Sequence, residues 1–150
     1  MNIRELVFKD KKEMSIKLEQ QACKYEGYIS GRNGYNFSNT DGSYTIAYIQ
    51  GDTLTKMHEL RHAKFYFDPN YRVEVEKIWS SFTSEEQIVI EKFLSKCGYK
   101  KELFRDEFQA YWFTEKEPRK FFGLKKNLFL VLAIFFEFAI YFLNRQYFLK

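Results

Sequence analysis

Residues 127–144 (NLFLVLAIFFEFAIYFLN) form an almost uninterrupted apolar run, and this run limits most strongly what the chain can fold into. Apolar surface of this length has to be covered by protein or by lipid. As a helix the run would extend about 27 Å, which is enough for a thin bilayer core. Its one charged residue, Glu137, would cost about 3 kcal/mol there, against a gain of roughly 4 to 7 kcal/mol from the Leu, Ile, Val and Phe side chains.

The run could be covered in two ways. A helix in a protein core should show a polar face, whereas here only Glu137 and the two ends are polar. We therefore expect residues 121–150 to be a hydrophobic tail whose helix anchors the protein in a membrane, with a buried core helix as the alternative. Basic residues flank the run on both sides, so the sequence does not indicate an orientation in the membrane.

Composition and charge divide the chain in the same way. Residues 121–150 hold ten of the thirty aromatic residues, and residues 124–150 carry most of the net charge of +4. The body is nearly neutral and lacks the clustered Lys and Arg that bind phosphates, so we expect no nucleic-acid partner. Because residues 1–13 contain no apolar stretch typical of a secretory signal, we expect a cytoplasmic domain that is membrane-associated through its tail. Cys23 and Cys97 form no C-x-x-C motif, and we expect two reduced, mostly buried thiols.

The first 120 residues have the pattern of a small α+β domain. Between residues 27 and 50, Tyr, Ile and Thr residues are interrupted by glycines, which predicts two or three strands joined by hairpins. Asn33-Gly34 and Asp41-Gly42 are the turn signals. The last of these strands, Tyr44 to Gln50, alternates and should border the core. Capping residues and apolar spacing predict helices over residues 10–23, 53–67, 69–80, 83–98 and 101–117.

The second predicted helix carries an H-E-x-x-H motif, formed by the only two histidines of the chain. His58 and His62 are four residues apart, one turn along the same helix face, so both imidazoles can bind one zinc ion. Glu59 lies beside them and can accept a proton from a metal-activated water. The alternative is a helix with two partly buried histidines that hydrogen-bond to neighbours. Because the motif would arise by chance in roughly one such chain in a thousand, we favour metal binding.

A catalytic zinc needs a third protein ligand, which has to be a carboxylate here. Asp68 lies at the spacing of the pattern H-E-x-x-H-x-x-G-x-x-H/D, but Phe65 stands where that pattern has its glycine, and Asp68 is placed to cap a helix. Glu107 is the better candidate, because small Ala110 one turn later would let its helix approach the histidine helix closely.

Two neighbours of Glu107 could support the site. Asp106 could orient a ligand histidine through its other ring nitrogen. Tyr111, on the same helix face as Glu107, could donate to the oxyanion that forms when water attacks a carbonyl. Each residue also has an ordinary interpretation, since acidic residues on helices are usually solvated and aromatic residues at this spacing usually belong to the core.

From about Tyr44 to Glu117 the sequence resembles the gluzincin branch of the zincin metallopeptidases, in which H-E-x-x-H on one helix is followed by a glutamate on a later helix. The resemblance implies a small zincin-like domain over residues 1–120, with a short antiparallel sheet, an active-site helix and further helices. It also implies zinc-dependent hydrolysis of peptide bonds, with His58, His62 and Glu107 as ligands and Glu59 as general base. The substrate, a peptide or protein, would add as a strand to Tyr44–Gln50 or to the hairpin before it. The alternative function is a catalytically inactive zincin-like binding module tethered to a membrane.

Overall fold

The structure is a computed structural model that describes residues 1–25 and 32–124, with the backbone alone for residues 19–25. Within these residues the protein is α+β, with a three-stranded sheet and six α-helices, as the predicted class required. The apolar helix predicted at 127–144 lies outside the described residues. In the described part, no helix has the length and apolar character needed to cross a membrane.

The sheet is mixed, whereas the sequence predicted an antiparallel one. Its strands are β1 (Ile3–Phe8), β2 (Gly34–Ser38) and β3 (Tyr44–Ile49), in the order β1-β3-β2. β3 pairs with β2 in antiparallel fashion and with β1 in parallel, because helix α1 (Lys11–Tyr25) separates β1 from the later strands. The sequence did not predict strand β1, because most of its side chains are exposed and its residues IRELVF show little apolar alternation.

The position of β3 corrects one expectation about the substrate. The strand predicted at Tyr44–Gln50 borders the core, but it is the central strand and is buried along almost its whole length. A central strand has no free edge to which another chain could add. Within the described residues β2 pairs with β3 alone, so the edge nearest this hairpin belongs to β2.

The two turn signals of this segment have different outcomes. The turn at Asp41-Gly42 is confirmed: Gly42 has φ 79°, and its N–H donates to the Asn39 carbonyl over 3.1 Å. The turn predicted at Asn33-Gly34 is wrong, because Gly34 is the first residue of β2 and pairs with Tyr48.

The remaining helices follow the predicted caps closely. They are α2 (Thr53–Phe67), α3 (Pro69–Ser80), α4 (Ser84–Lys96), α5 (Phe104–Thr114) and α6 (Pro118–Phe121), with a single 3₁₀ turn at Lys101–Leu103. Asp52 caps α2, Asp68 caps α3, and Thr83 with Glu86 forms a complete capping box at α4. The single helix predicted at 101–117 is instead divided into the 3₁₀ turn and α5, which ends at Thr114.

Cys97 is a free, exposed thiol at the end of α4, so the expectation of burial is wrong for this residue.

Helix α2 lies against the sheet on one side and against α5 on the other. The largest apolar cluster packs α3 and α4 around α5, with Phe108 of α5 in edge-on contact with Trp79 and Phe82. Burial of these rings holds α5 in place, since each large aromatic side chain contributes roughly 1.5 to 3 kcal/mol when fully buried. The packing therefore brings the polar first turn of α5 against the middle of α2.

Candidate metal centre

The two histidines lie on one face of α2, as their spacing predicted. His58 Nε2 and His62 Nε2 are 3.2 Å apart, and the ring centroids are separated by 4.9 Å. His62 is almost fully buried, whereas the side chain of His58 is 14% exposed. Both imidazoles therefore turn the same ring nitrogen toward a common point.

Glu107 comes to the same point from the first turn of α5. Its Oε2 lies 3.7 Å from His58 Nε2 and 3.8 Å from His62 Nε2. The potential ligand atoms of the three residues all lie within 4.8 Å of one another, so the cluster could hold a metal ion. Ala110, one turn later, is completely buried, and α5 packs against α2.

The donor set fits a metal ion on two grounds. Glu107 Oε2 is buried and has no hydrogen-bond partner among the described residues, and a buried unpaired carboxylate oxygen is unfavourable unless something else satisfies it. Two imidazoles and one carboxylate also match the ligands of catalytic zinc sites. Asp68 is not part of this group: its Oδ1 accepts from the backbone N–H groups of Asn70 and Tyr71 and caps α3.

Charge favours a cation at this point. Burial alone would lower the pKa of His62, but the negative charges of Asp106 and Glu107 outweigh it and raise this pKa to about 10. Burial would likewise raise the pKa of Glu107, yet His62 and the contact with His58 bring it below the ordinary value. Without a metal the cluster thus binds a proton strongly, and a metal ion would take that proton's place.

Asp106 lies behind His62, on the side away from Glu107. Its Oδ1 is 2.8 Å from His62 Nδ1, the ring nitrogen that does not face the other ligands. The two atoms are at ion-pair distance, although His62 Nδ1 has no hydrogen bond of regular geometry among the described residues. The role of Asp106 in orienting a metal ligand stays a prediction.

Glu59 borders the site from the strand side. It is only 5% exposed, because β2 covers it, and burial raises its pKa. Asn36 Nδ2 donates to Glu59 Oε2 over 2.7 Å, and the Tyr44 hydroxyl donates to Asn36 Oδ1. A Cβ atom at Gly34 would overlap Glu59 Oε1 and would stand 2.6 Å from Thr55 Cγ2. The absence of a side chain at Gly34 is thus what gives the Glu59 carboxylate its place.

Tyr111 lies over His58, with ring centroids 4.5 Å apart. Its hydroxyl is 2.9 Å from the hydroxyl of Tyr99, a residue that the sequence analysis did not select. Burial raises the pKa of Tyr111 to about 12 and raises that of Tyr99 as well, so both hydroxyls keep their protons near neutral pH. One hydroxyl donates to the other, which leaves one proton of the pair for another acceptor.

One cavity of about 490 Å³ is lined by the three candidate ligands and by Gly34, Asn36, Glu59, Tyr99 and Tyr111. That volume is within the range of pockets that bind small molecules or short peptide segments. Lys11 and Arg32 line the cavity together with Leu54, which is 62% exposed. Gly34, Asn36 and Tyr99 belong to the site but not to any recognisable sequence motif, and the Asn33-Gly34 pair has the pattern of a turn. The sequence therefore does not predict these three residues.

Comparison of the chain with protein-family models, with curated proteins and with solved structures gave no match.

Proposed function

We propose that the protein is a zinc-dependent metallopeptidase of the gluzincin type. The observation that supports this most directly is the approach of Glu107, from a helix far along the chain, to the paired Nε2 atoms of His58 and His62. The same histidine pair has a second carboxylate, Asp106, at the ring nitrogen of His62 that faces away from Glu107, which is the usual arrangement around a histidine that binds zinc.

Zinc is the metal that these ligands favour. Imidazole nitrogens and one carboxylate oxygen are typical of catalytic zinc, with a fourth position left for water or substrate. Hard cations such as Mg²⁺ and Ca²⁺ prefer sites built from oxygen ligands. His58 faces the cavity, so a fourth position beside it would be open to a substrate.

Zinc at this site would supply a Lewis acid that polarises a peptide carbonyl and lowers the pKa of water. Glu59 would accept a proton from the attacking water while the oxygen forms a bond with the carbonyl carbon. The same carboxylic acid would then give the proton to the amine nitrogen as the C–N bond breaks. The raised pKa of Glu59 suits this exchange, because the carboxyl group must hold the proton between the two steps.

The Tyr111 and Tyr99 hydroxyls are suited to the charge that develops on the carbonyl oxygen. Both remain protonated near neutral pH, and the pair has one O–H that is not used between them. A donor in a water-poor cavity stabilises an oxyanion more strongly than it would in bulk water. An extended peptide or protein substrate would add to the edge of β2, beside Glu59.

Zinc content tests the metal site. The full chain, purified in a mild detergent and supplied with zinc, should retain one zinc ion per chain after dialysis. Glu107→Ala should retain far less, because it removes the one carboxylate ligand. Absence of zinc from the wild-type protein would reject the proposal.

A second candidate function is a binding module that holds zinc and peptide without turnover. The observation in its favour is the burial of Glu59 and its hydrogen bond with Asn36, which restrict the base that hydrolysis needs. Stoichiometric zinc together with peptide binding, but with no cleavage of a diverse peptide library, would favour this candidate.

The membrane anchor at residues 127–144 remains part of the proposal for both candidates. We expect the protein in the membrane fraction of cells that express it. Recovery in the soluble fraction alone would contradict the anchor.

A further inference from the structure

A series of polar side chains, of which Gln109 and Tyr71 are buried, adjoins the side of His62 that faces away from the proposed metal. His62 Nδ1 lies 2.8 Å from Asp106 Oδ1. The same oxygen accepts from Gln109 Nε2 over 3.0 Å, and Gln109 Oε1 accepts from the Tyr71 hydroxyl over 2.8 Å. Three helices thus contribute to one connected set of side chains behind a single ligand.

Burial fixes the direction of the two hydrogen bonds that Gln109 makes in this series. Gln109 is completely buried and Tyr71 is 3% exposed, so water does not compete for their polar atoms. Burial raises the pKa of Tyr71, although the nearby Arg61 guanidinium opposes the rise, and the phenol is therefore a neutral donor. Because the Gln109 oxygen accepts from Tyr71, its amide N–H₂ must face Asp106.

Tyr71 is itself held by the start of α3. Its backbone N–H donates to Asp68 Oδ1 over 3.1 Å, within the cap that begins this helix. The Lys64 ammonium group lies 4.2 Å from the centre of the Tyr71 ring, which adds a contact from α2. The far end of the polar series therefore rests on well-defined helix structure.

Asp106 needs such support because its side chain is 25% exposed. A partly exposed carboxylate can rotate and exchange its partners for water. If it turned away, His62 could carry its proton on Nε2, and a protonated Nε2 cannot bind a metal. An anchored Oδ1 keeps the proton on Nδ1 and leaves the Nε2 lone pair directed at the ion.

We propose that Gln109 and Tyr71 are positioning residues for the metal ligand His62, and that they act by holding the Asp106 carboxylate against its Nδ1 atom. This inference rests on the metal site of the proposed function and does not require hydrolysis. A purely structural role would lower the stability of the fold and leave the affinity for metal unchanged. The affinity for metal is therefore the property to measure.

The test uses the full chain in a mild detergent, with zinc affinity measured by competition against a chromophoric chelator. Gln109→Met removes both hydrogen bonds at similar volume and should weaken zinc binding about tenfold to a hundredfold, as is usual for groups that orient a ligand. Tyr71→Phe should weaken it roughly threefold to tenfold, since the amide keeps its contact with Asp106. The absorption spectrum of the cobalt-substituted protein should change in both variants, because the ligand field at the metal depends on the orientation of His62.

Tyr48→Phe is the matched control. Tyr48 is also buried, and its hydroxyl donates to Glu5 over 2.6 Å, but it does not line the cavity. The control should have a lower melting temperature with unchanged zinc affinity and an unchanged cobalt spectrum. A cooperative melting transition of each zinc-free variant shows that the variant is folded. If Gln109→Met does not fold, the zinc affinity of Tyr71→Phe tests the inference.

A double-mutant cycle separates positioning from independent damage. In an Asp106→Ala background, Gln109→Met should have little further effect on zinc affinity, because its route to His62 is already removed. Wild-type zinc affinity in Gln109→Met and Tyr71→Phe, or fully additive effects in the cycle, would overturn the inference. A wild-type protein that binds no zinc would overturn both this inference and the proposed function. A protein that binds zinc but cleaves no peptide would overturn the hydrolytic function alone.

Discussion

The site has two walls that are built in different ways. The helical wall, formed by α2 and α5, holds the three candidate metal ligands, and the polar series of Asp106, Gln109 and Tyr71 lies behind one of them, His62. The strand wall, formed by β2, holds Glu59 through one amide and through the space left by a glycine. The proposed ligands and the proposed base share α2 but depend on different neighbours, α5 for the ligands and β2 for Glu59. Substitutions at these neighbours should therefore affect metal binding and hydrolysis separately.

Glu59→Gln and His58→Ala should differ most clearly in their effects on zinc binding and on hydrolysis. Glu59→Gln keeps the ligands and removes the base, so hydrolysis should fall by about 10² to 10⁴ while one zinc ion stays bound. His58→Ala should lose both zinc and hydrolysis. Peptide cleavage and zinc content measured on the same samples check this pair. Undiminished cleavage by Glu59→Gln would remove Glu59 from the role of general base.

Gly34→Ala tests the strand wall without touching an ionisable group. The new methyl group must displace the Glu59 carboxylate, so we expect hydrolysis to fall by about 10² while zinc affinity stays within about twofold. Gly42→Ala is the matched control in the same hairpin. It meets no neighbouring atom, but its φ of 79° is unfavourable for alanine, so it should lower stability by about 1 to 3 kcal/mol without lowering the activity of the folded protein. Equal losses of activity in the two variants would show that Gly34 serves the hairpin and not Glu59.

Removal of zinc should lower the stability of the helical wall more than that of the strand wall. An ion present at a hundred times its dissociation constant stabilises the fold by about 2.7 kcal/mol. For a chain of this size, a chelator should therefore lower the melting temperature by roughly 5 to 10 °C. Hydrogen exchange should quicken in α2 and α5 and change little in β2. Uniform quickening across the whole domain would mean that the two walls are not independent.

Asn36→Ala should have the smallest effect of the four. It removes one hydrogen bond to Glu59 Oε2 and leaves the carboxylate in its place, so we expect about a tenfold loss of hydrolysis, equivalent to about 1.4 kcal/mol. Zinc content should be unchanged. A rise in activity would mean that Asn36 restrains the base, which would favour the view of the protein as a binding module.

The same two walls differ in how far the sequence could predict them. On α2, the break at Gly51, the cap at Asp52 and the four-residue spacing of the histidines are all local signals, and the helix begins and ends where they indicate. The early part of α5 was also accessible, because Glu107, Asp106 and Ala110 share a short helical pattern. Helical periodicity thus predicted the two helix faces, whereas the expectation that they meet came from the H-E-x-x-H motif, which needs a carboxylate as its third ligand.

The strand wall could not be predicted in this way. Gly34 in an Asn-Gly pair has the usual pattern of a turn, and the requirement for a residue without a side chain comes from Glu59 on another element. Asn36 and Gln109 are unremarkable until their partners are known. Strand β1 is mostly exposed, and its parallel pairing depends on the path of α1 across the sheet. Each of these features is a contact between distant segments, for which one sequence contains no periodic signal.

The antiparallel pairing of β2 with β3 has a consequence for the order in which the protein folds. A short hairpin closes quickly, whereas the contact of α5 with α2 requires the chain to close a loop that contains α3 and α4. We therefore expect the β2–β3 hairpin, which supplies the contacts to Glu59, to form early, and Glu107 to join the histidines late in folding. Two histidines on an isolated helix hold a zinc ion weakly, so tight loading should await the completed fold, and metal content would then report how much of a preparation has folded correctly.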